Sequence, residues 1–476
     1  MNNFIIKIQI MFLQFVLVGV YIMYKGAADA SGAPMEKYEK DALYSAIQGF
    51  VGNEWNGSYL YPDPCGWTTI EGVSCDFSNG FWHITDLSIG QVYDNSLSCS
   101  PAAEFREDLF KLKHLKRLSF SNCFLSSHHK PITIPTSNWN SLANSLESLE
   151  FRSNPSLTGT IPTSFGNLKN LQSLVLVENR LKGEIPEALG GLIKLVRLVL
   201  SGNSFEGPIP ASLGKLTNLL IFDTNRNFLS GSLPVTFGNL TSLIKLDLSN
   251  NLFDGKLPRE IGGLKSVTLL DLSHNKFSGG LPKIIQEMIS LKELVLSNNP
   301  IGDYVTTIQW QKLKNLEILD LSNMGLKGNI PNSMTEMKKL RFLSLSNNSL
   351  SGNILSKFDR MPTIYALYLD GNDFTGKLEF STRFYDKLRS RFRASGNMNL
   401  CSSLELMSTR HVPEGVKQCE QDSIIHSEDS DSSLKNEFLN QNLHFIASLG
   451  HSGHVVSGFT FCYVVRIILM ALLWII

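Results

Sequence analysis

Residues 171–186 read LQSLVLVENRLKGEIP, and close copies of this stretch follow at a spacing of 24 residues. LVRLVLSGNSFEGPIP begins at Leu195, and LIKLDLSNNLFDGKLP begins at Leu243. About eleven such units are present, and their frames begin at Leu115, Leu146, Leu171, Leu195, Leu219, Leu243, Val267, Leu291, Leu316, Leu340 and Ile364, with a vestigial twelfth near Leu388. Self-similarity at a fixed short period predicts an array of stacked structural repeats.

Each unit carries leucines that alternate with polar residues and are followed by an asparagine. In the copy quoted first these are Leu174, Leu176 and Asn179. A period of two places the leucines on one face of a β-strand, and stacking against neighbouring units buries that face. The asparagine amide is expected to bond backbone groups of neighbouring turns, which makes it structural rather than catalytic. Met324 replaces the asparagine in one unit, and we expect a local irregularity there.

The repeated unit resembles the leucine-rich repeat, and its L-x-G-x-[IL]-P ending resembles the plant extracellular subclass. The resemblance implies an α/β repeat fold, namely a leucine-rich-repeat solenoid curved as a right-handed superhelix with a parallel sheet on its concave face. We assign residues 111–395 to the solenoid, 31–110 to an N-terminal cap and 396–420 to a C-terminal cap.

Six of the seven cysteines lie near the two ends of the array, and none lies between Cys123 and Cys401. The seventh, Cys462, lies in the apolar stretch at the C-terminus. Pairing neighbours is the simplest of fifteen connectivities, and it joins Cys65 to Cys75, Cys99 to Cys123 and Cys401 to Cys419. EKDALYSAIQGFV, from Glu39, has the apolar spacing of a helix. DPCGWTTIEGVSCD and NMNLCSS resemble the N- and C-terminal caps of plant leucine-rich-repeat proteins. These features predict disulfide-locked caps, with the helix over the exposed edge of the first repeat.

One resemblance is narrower. DPCGWTTIEGVSCD and the later stretch LSCSPAAEFREDLFKLKHLKRLSFSNCF are similar to the plant Piriformospora indica-insensitive proteins. The similarity covers the cap, the second cysteine pair and the first repeat. It implies a plant cell-surface receptor-like protein with a role in the root response to a beneficial endophytic fungus.

The N-terminus predicts export. Lys7 lies at the front of an apolar stretch and ADA follows it, so residues 1–30 are expected to be a cleaved signal peptide; an uncleaved membrane anchor is the alternative. Sequons at Asn56, Asn239 and Asn347 predict N-glycosylation.

The C-terminus predicts membrane attachment. A polar linker at residues 421–457 precedes an apolar tail at 458–476, which Arg466 interrupts. The tail fits either a transmembrane helix or a glycosylphosphatidylinositol (GPI) anchor signal with Ser448 or Gly450 as the attachment site. We favour the lipid anchor. The expected location is the extracellular face of the plasma membrane, reached through the secretory pathway.

Motifs for catalysis, metals or cofactors are not found. The sequence contains no H-E-x-x-H, no G-x-S-x-G and no P-loop. The adjacent His128 and His129 have no cysteine or acidic partner at ligand spacing, which is typical of a polar loop. The 43 basic residues balance the 43 acidic residues, which argues against nucleic-acid binding. We therefore expect a non-enzymatic protein without cofactors.

The outward strand positions of the array form the expected ligand-binding face. Going along the strand centres, these are Glu150, Val175, Val199, Asp223, Asp247, Asp271, Val295, Asp320, Ser344 and Tyr368. The aspartates would suit a basic ligand, although the LDLS consensus explains them better. Two groups depart from the polar consensus and are the candidate ligand-binding residues, namely Val175, Val177, Arg197 and Val199 in one group and Phe342, Tyr365 and Tyr368 in the other.

The predicted function is a receptor-like protein that binds a protein or peptide ligand and signals through a membrane-spanning co-receptor kinase. The main alternative is an apoplastic leucine-rich-repeat inhibitor of microbial wall-degrading hydrolases, a class that is usually soluble. An enzyme with a grafted site and a scaffold without a ligand are further alternatives.

Overall fold

Each of the eleven repeats contributes one strand to a parallel sheet. In the computed structural model, Ser173 pairs with Arg197 and Leu174 pairs with Leu198, and the same register continues from strand to strand. The strands are Arg117–Ser121, Ser148–Gly159, Ser173–Gly183, Arg197–Val199, Ile221–Asp223, Lys245–Asp247, Leu269–Asp271, Glu293–Val295, Ile318–Asp320, Phe342–Ser344 and Ala366–Tyr368. Phe392–Arg393 follows at the vestigial twelfth unit. The fold is the leucine-rich-repeat solenoid expected from the sequence.

The structure describes residues 34–90, 97–125, 131–403, 413 and 415–419. The predicted signal peptide, linker and apolar tail, the anchor sites Ser448 and Gly450, and the His128/His129 pair lie outside these residues. Within them, no helix combines the length and the apolar character that crossing a membrane requires.

Alternation along each strand separates a buried face from an outward face. Leu174, Leu198 and Phe222 occupy equivalent positions on successive strands and are fully buried. A single strand has nothing against which to bury such residues, so the hydrophobic core exists only because the repeats are stacked. Burial of this row fixes the register, since a slip by one residue would turn every leucine outward.

After each strand the chain turns and returns along the opposite side of the solenoid through short strands and 3-10 helices. The short strands are Ile132–Thr133, Ser204–Gly207, Phe228–Gly231, Leu252–Lys256, Lys276–Ser278, Lys327–Gly328, Ser349–Asn353 and Asp373–Lys377. The 3-10 helices are Glu107–Lys111, Trp139–Leu142, Thr163–Asn167, Glu187–Gly191, Ala211–Lys215, Val235–Asn239, Arg259–Gly263, Lys283–Glu287, Val305–Thr307, Trp310–Lys312, Ser356–Arg360 and Arg389–Arg391. A short α-helix, Asn332–Thr335, takes this position in one repeat.

The consensus asparagines are buried, except for the half-buried Asn348, and they link successive repeats through hydrogen bonds. The Asn251 Oδ1 accepts the Leu229 N–H at 3.1 Å, and its Nδ2 donates to the carbonyls of Thr224 and Leu248 at 2.9 and 3.1 Å. At Met324 this side-chain link is missing, and the Gly302 N–H donates to the Met324 main-chain carbonyl at 2.8 Å instead. The predicted irregularity is therefore present.

The N-terminal cap closes the core at the first repeat. The helix Lys37–Val51 buries Ala42, Leu43, Ala46, Ile47 and Phe50, the positions that its apolar spacing predicted. A short helix, Gly57–Leu60, follows, and the strands Val73–Ser78 and Phe81–Gly90 then form an antiparallel pair. The second of these strands begins the parallel sheet by pairing with Arg117–Ser121.

Disulfides close both caps in the neighbouring pairs that the sequence suggested. Cys65 is bonded to Cys75 and Cys99 to Cys123 at the N-terminal end, and Cys401 is bonded to Cys419 at the other. The helix Thr382–Leu388 lies at the end of the solenoid, and the strands Asn399–Ser402 and Lys417–Gln418 lie in the C-terminal cap. Stacked aromatic rings, among them Phe380 and Phe384 with centroids 4.3 Å apart, cover the last repeat.

Candidate functional site

The outward residues of the strands form one continuous row across the concave sheet. The pairing register places Glu150 beside Val175, Val175 beside Val199, and Val199 beside Asp223. The same row continues through Asp247, Asp271, Val295, Asp320, Ser344 and Tyr368, as the repeat frames predicted. Arg393 extends it by one strand. This row is the candidate ligand-binding face, and it contains both buried and partly exposed side chains.

The expectation that Val175 is exposed is wrong. Val175 has 0% exposure, and it lies between a strand that carries Glu150 and a strand that carries Arg197. The Arg197 guanidinium reaches across this strand to Glu150 at 3.5 Å, and its Nε also donates to Ser173 at 3.1 Å. Because the ion pair spans the strand that carries Val175, the valine is covered by charged side chains.

The rest of the valine group is partly exposed and lies among charged side chains. Val177 and Val199 are only half-buried, and Arg197 is held by Glu150. Arg152 donates to the same Glu150 carboxylate at 2.9 Å. The group is therefore a network of charged side chains over partly buried valines, and it is a weaker contact candidate than the sequence indicated.

The middle of the row contains buried charges that pair with one another. The Lys245 Nζ lies 2.6 Å from Asp223 Oδ2 and 3.7 Å from Asp247 Oδ2, and all three side chains are buried. Burial raises the pKa of the Asp223 carboxyl and the adjacent Asp247 carboxylate raises it further, whereas Lys245 opposes both effects. The sequence did not indicate this cluster, because LDLS occurs in several repeats whereas the lysine occurs in one.

The other aspartates of the row accept hydrogen bonds from the serine two residues later. Asp271 accepts from the Ser273 N–H and hydroxyl at 3.0 and 2.6 Å, and Asp320 bonds Ser322 in the same way. Both aspartates therefore have a structural role at the strand exit, which agrees with the LDLS consensus rather than a basic ligand as the reason for their presence.

The C-terminal end of the row carries an aromatic–arginine cluster, which we define as Phe342, Tyr365, Tyr368, Arg391 and Arg393. The rings of Phe342 and Tyr368 meet edge to face with centroids 5.3 Å apart. A guanidinium group covers each tyrosine, at 3.6 Å from the Tyr365 centroid and 4.5 Å from the Tyr368 centroid. The structure thus brings Phe342 and Tyr368 together, whereas Tyr365 lies against Arg391.

The two arginines were missed because they lie beyond the last complete repeat. Arg391 donates to the carbonyls of Leu388 and Lys387 at 3.1 and 2.7 Å, which fixes its plane against Tyr365. Arg393 is exposed beside Tyr368. The vestigial unit near Leu388 could have indicated them, because its strand Phe392–Arg393 continues the row of outward residues. Tyr365 keeps 40% of its surface exposed. The cluster is therefore accessible to a partner, while hydrogen bonds hold Arg391 beneath it in place.

All three sequon asparagines are exposed. Asn56 precedes the helix Gly57–Leu60 and accepts the Tyr59 N–H, and Asn239 ends the 3-10 helix Val235–Asn239. Asn347 lies just after Phe342–Ser344, a strand that carries part of the aromatic–arginine cluster. Glycosylation at these sites stays a prediction.

Comparison with known proteins agrees with the repeat geometry. Leucine-rich-repeat family models match residues 144–205, 214–277, 315–337 and 339–361. Piriformospora indica-insensitive protein 2 of Arabidopsis thaliana is 65% identical over 399 residues, which are 82% of this chain and 93% of that protein. The chain belongs to this family of plant leucine-rich-repeat receptor-like proteins. Receptor like protein 29 of the same plant is 35% identical over 36% of each chain.

Solved structures with this fold include plant receptor ectodomains. The complex of PEPR1 with AtPEP1 matches with a TM-score of 0.59 and 26% identity, over 76% of this chain and 52% of that one. The Arabidopsis receptor kinase HAESA, in complex with the peptide hormone IDA and the co-receptor SERK1, matches with a TM-score of 0.54 and 27% identity, over 77% and 66%. This family member therefore spans about half to two thirds of those receptor chains.

Proposed function

We propose that the protein is a non-enzymatic cell-surface receptor-like protein that binds a protein or peptide ligand on its concave face. The observation that carries the proposal is the aromatic–arginine cluster at the C-terminal end of the sheet. Aromatic and arginine side chains are the contact residues most often responsible for binding energy. Stacked guanidinium groups hold Tyr365 and Tyr368 in place, which lowers the entropy lost when a partner binds.

The partner class follows from the shape of the surface and from the structural relatives. Eleven strands at about 4.8 Å give a face roughly 48 Å long, which suits an extended peptide or a protein surface better than a metabolite. Similar ectodomains have been solved with peptide hormones, and one of them also with a co-receptor. A membrane-spanning co-receptor kinase is accordingly the proposed route of the signal.

The biological setting is proposed from the family. A relative that is 65% identical is a Piriformospora indica-insensitive protein, so we infer a role in the interaction of plant roots with an endophytic fungus. The exposed Asn347, which would carry a glycan beside the aromatic–arginine cluster, would limit the direction from which a partner approaches.

The experiment is proximity labelling at the surface of root cells with the full-length protein fused to an extracellular biotin ligase. The variant Tyr365→Ala/Tyr368→Ala is compared with wild type and with Phe228→Ala. Phe228 is a matched control, because it is 57% exposed and lies on a strand outside the concave sheet.

We expect wild type and Phe228→Ala to label the same partners, including a receptor kinase. The double variant is expected to weaken binding of the captured partner by about tenfold or more, since an aromatic hot spot contributes about 2 kcal/mol or more. Unchanged labelling and binding in a double variant with the wild-type unfolding temperature would refute the assignment of the site.

A further inference from the structure

Three side chains from separate elements converge under the N-terminal cap. Glu39 lies in the first turn of the helix Lys37–Val51, His83 lies in the strand Phe81–Gly90, and His114 precedes the strand Arg117–Ser121. The Glu39 Oε2 is 2.8 Å from His83 Nδ1 and 3.9 Å from His114 Nδ1. The two imidazole rings lie 3.8 Å apart at a tilt of 38°.

The Glu39 carboxylate is buried and held in one orientation. Its exposure is 4%, and its other oxygen, Oε1, accepts the Ile84 N–H at 2.8 Å. The oxygen that remains, Oε2, faces both histidines. A buried carboxylate is costly unless a positive charge lies beside it, and the two imidazoles are the groups that face this oxygen in the described contacts.

We propose that Glu39, His83 and His114 form a zinc site. Two imidazole nitrogens and one carboxylate oxygen are a ligand set that zinc takes in proteins, with bonds of about 2.0–2.2 Å. Ligand atoms at such distances from a tetrahedral ion lie about 3.3 Å apart. The two separations of 2.8 and 3.9 Å bracket this value, and one ligand atom from each residue lies within 4.8 Å of the others.

The site is open to solvent on the side of His114. Its side chain is 50% exposed, whereas those of Glu39 and His83 are 6% and 9% exposed. An ion can therefore reach the buried carboxylate from solvent, and a water molecule can complete the coordination on the open side. The Ile84 N–H supplies the outer hydrogen bond that orients the liganding carboxylate.

The ligand types set the selectivity. Calcium and magnesium take oxygen ligands, whereas imidazole suits zinc and its neighbours in the first transition series. A bound zinc ion would link the cap helix to the first strands of the solenoid at three points, in the part of the chain that the disulfide Cys65–Cys75 also ties together.

The test uses the full-length protein, purified without a polyhistidine tag and stripped with a chelator. It is titrated with zinc chloride and, separately, with calcium chloride. The variants are His114→Gln, which removes the exposed ligand, and His83→Gln. The control is His274→Gln, a histidine in the solenoid that bonds Asn298 at 3.1 Å and lies outside the cluster.

We expect wild type and the control to bind zinc but not calcium at this site, with a rise in unfolding temperature. X-ray absorption should show two imidazole nitrogens and a carboxylate oxygen at about 2.0–2.2 Å. His114→Gln should weaken the zinc affinity by at least about tenfold, while its unfolding temperature without metal stays near that of wild type. The proposal is overturned if zinc binding is absent, or if it is equal in wild type, His114→Gln and His83→Gln.

Discussion

Lys245 is the residue on which the centre of the concave face depends. Its ammonium group is the positive charge beside two buried aspartates, 2.6 Å from Asp223 and 3.7 Å from Asp247. Removing one partner of a buried ion pair costs about 3–5 kcal/mol, because the other charge is left without compensation. Lys245→Met leaves both carboxylates in place, and we expect a cost of this size in the free energy of unfolding at pH 7.

The loss of unfolding free energy caused by Lys245→Met should be smaller at acidic pH. The pKa of Asp223 is raised in the folded protein, first by burial and then by Asp247. A carboxyl with a raised folded pKa contributes stability that is present below its unfolded pKa and lost as the pH rises through the folded pKa. Without the lysine this pKa rises further, so the deficit of Lys245→Met at pH 5 should be smaller than at pH 7.

Urea unfolding at both pH values measures this difference. Lys116→Met is the matched control, because Lys116 pairs with Asp76 at 2.7 Å on the exposed surface, where an ion pair contributes about 0–1 kcal/mol. If Lys245→Met lowers the free energy of unfolding equally at the two pH values, Asp223 does not take up a proton in the folded variant at pH 5.

The cap helix is the element that closes the open end of the array. Phe50, on the helix Lys37–Val51, packs against Phe120 and Phe105 with centroid distances of 4.5 and 5.5 Å. Truncation of a buried phenylalanine costs about 3–5 kcal/mol. We expect Phe50→Ala to lower the free energy of unfolding by this amount and to make residues 37–51 the first site of limited proteolysis.

Tyr38→Ala provides the comparison within the same helix. Tyr38 is 58% exposed, and surface substitutions usually change stability by less than about 0.5 kcal/mol. If both variants unfold at the same urea concentration as wild type, the helix does not contribute to the stability of the solenoid.

The helix and the strands were predictable from the sequence because their apolar residues recur at regular spacings. The apolar spacing of Glu39 to Phe50 and the 24-residue repeat determine which side chains are buried. Pairs between distant residues carry no such pattern. Glu150 and Arg197 are two strands apart, yet their side chains form an ion pair across the strand of the buried Val175. For the same reason, the sequence did not predict the contact of Lys245 with the aspartates. It also did not predict the contact of His83 with Glu39, which lies 44 residues away.

At the scale of the whole molecule, the proposed ligand-binding cluster and the disulfide-bonded N-terminal cap lie at opposite ends of the repeat array. The N-terminal cap is fixed by two disulfides, an aromatic core and the Glu39–His83 contact. The aromatic–arginine cluster lies on the last strands of the sheet, near the side that precedes the predicted linker and apolar tail. A partner that binds there would contact the part of the array closest in sequence to the proposed membrane attachment.

The mode of that attachment is the last prediction. Residues 458–476 are short for a spanning helix, and Arg466 interrupts the apolar run that either reading requires. Small residues, a short polar spacer and an apolar end match a lipid-anchor signal, which we favour. We expect phosphatidylinositol-specific phospholipase C to release the protein from plant membranes. Ser448→Leu/Gly450→Leu, which removes both small attachment residues, should abolish anchoring, while Ser433→Leu in the linker should not. Mass spectrometry that finds Trp474 in the mature chain would contradict the anchor and support the spanning helix.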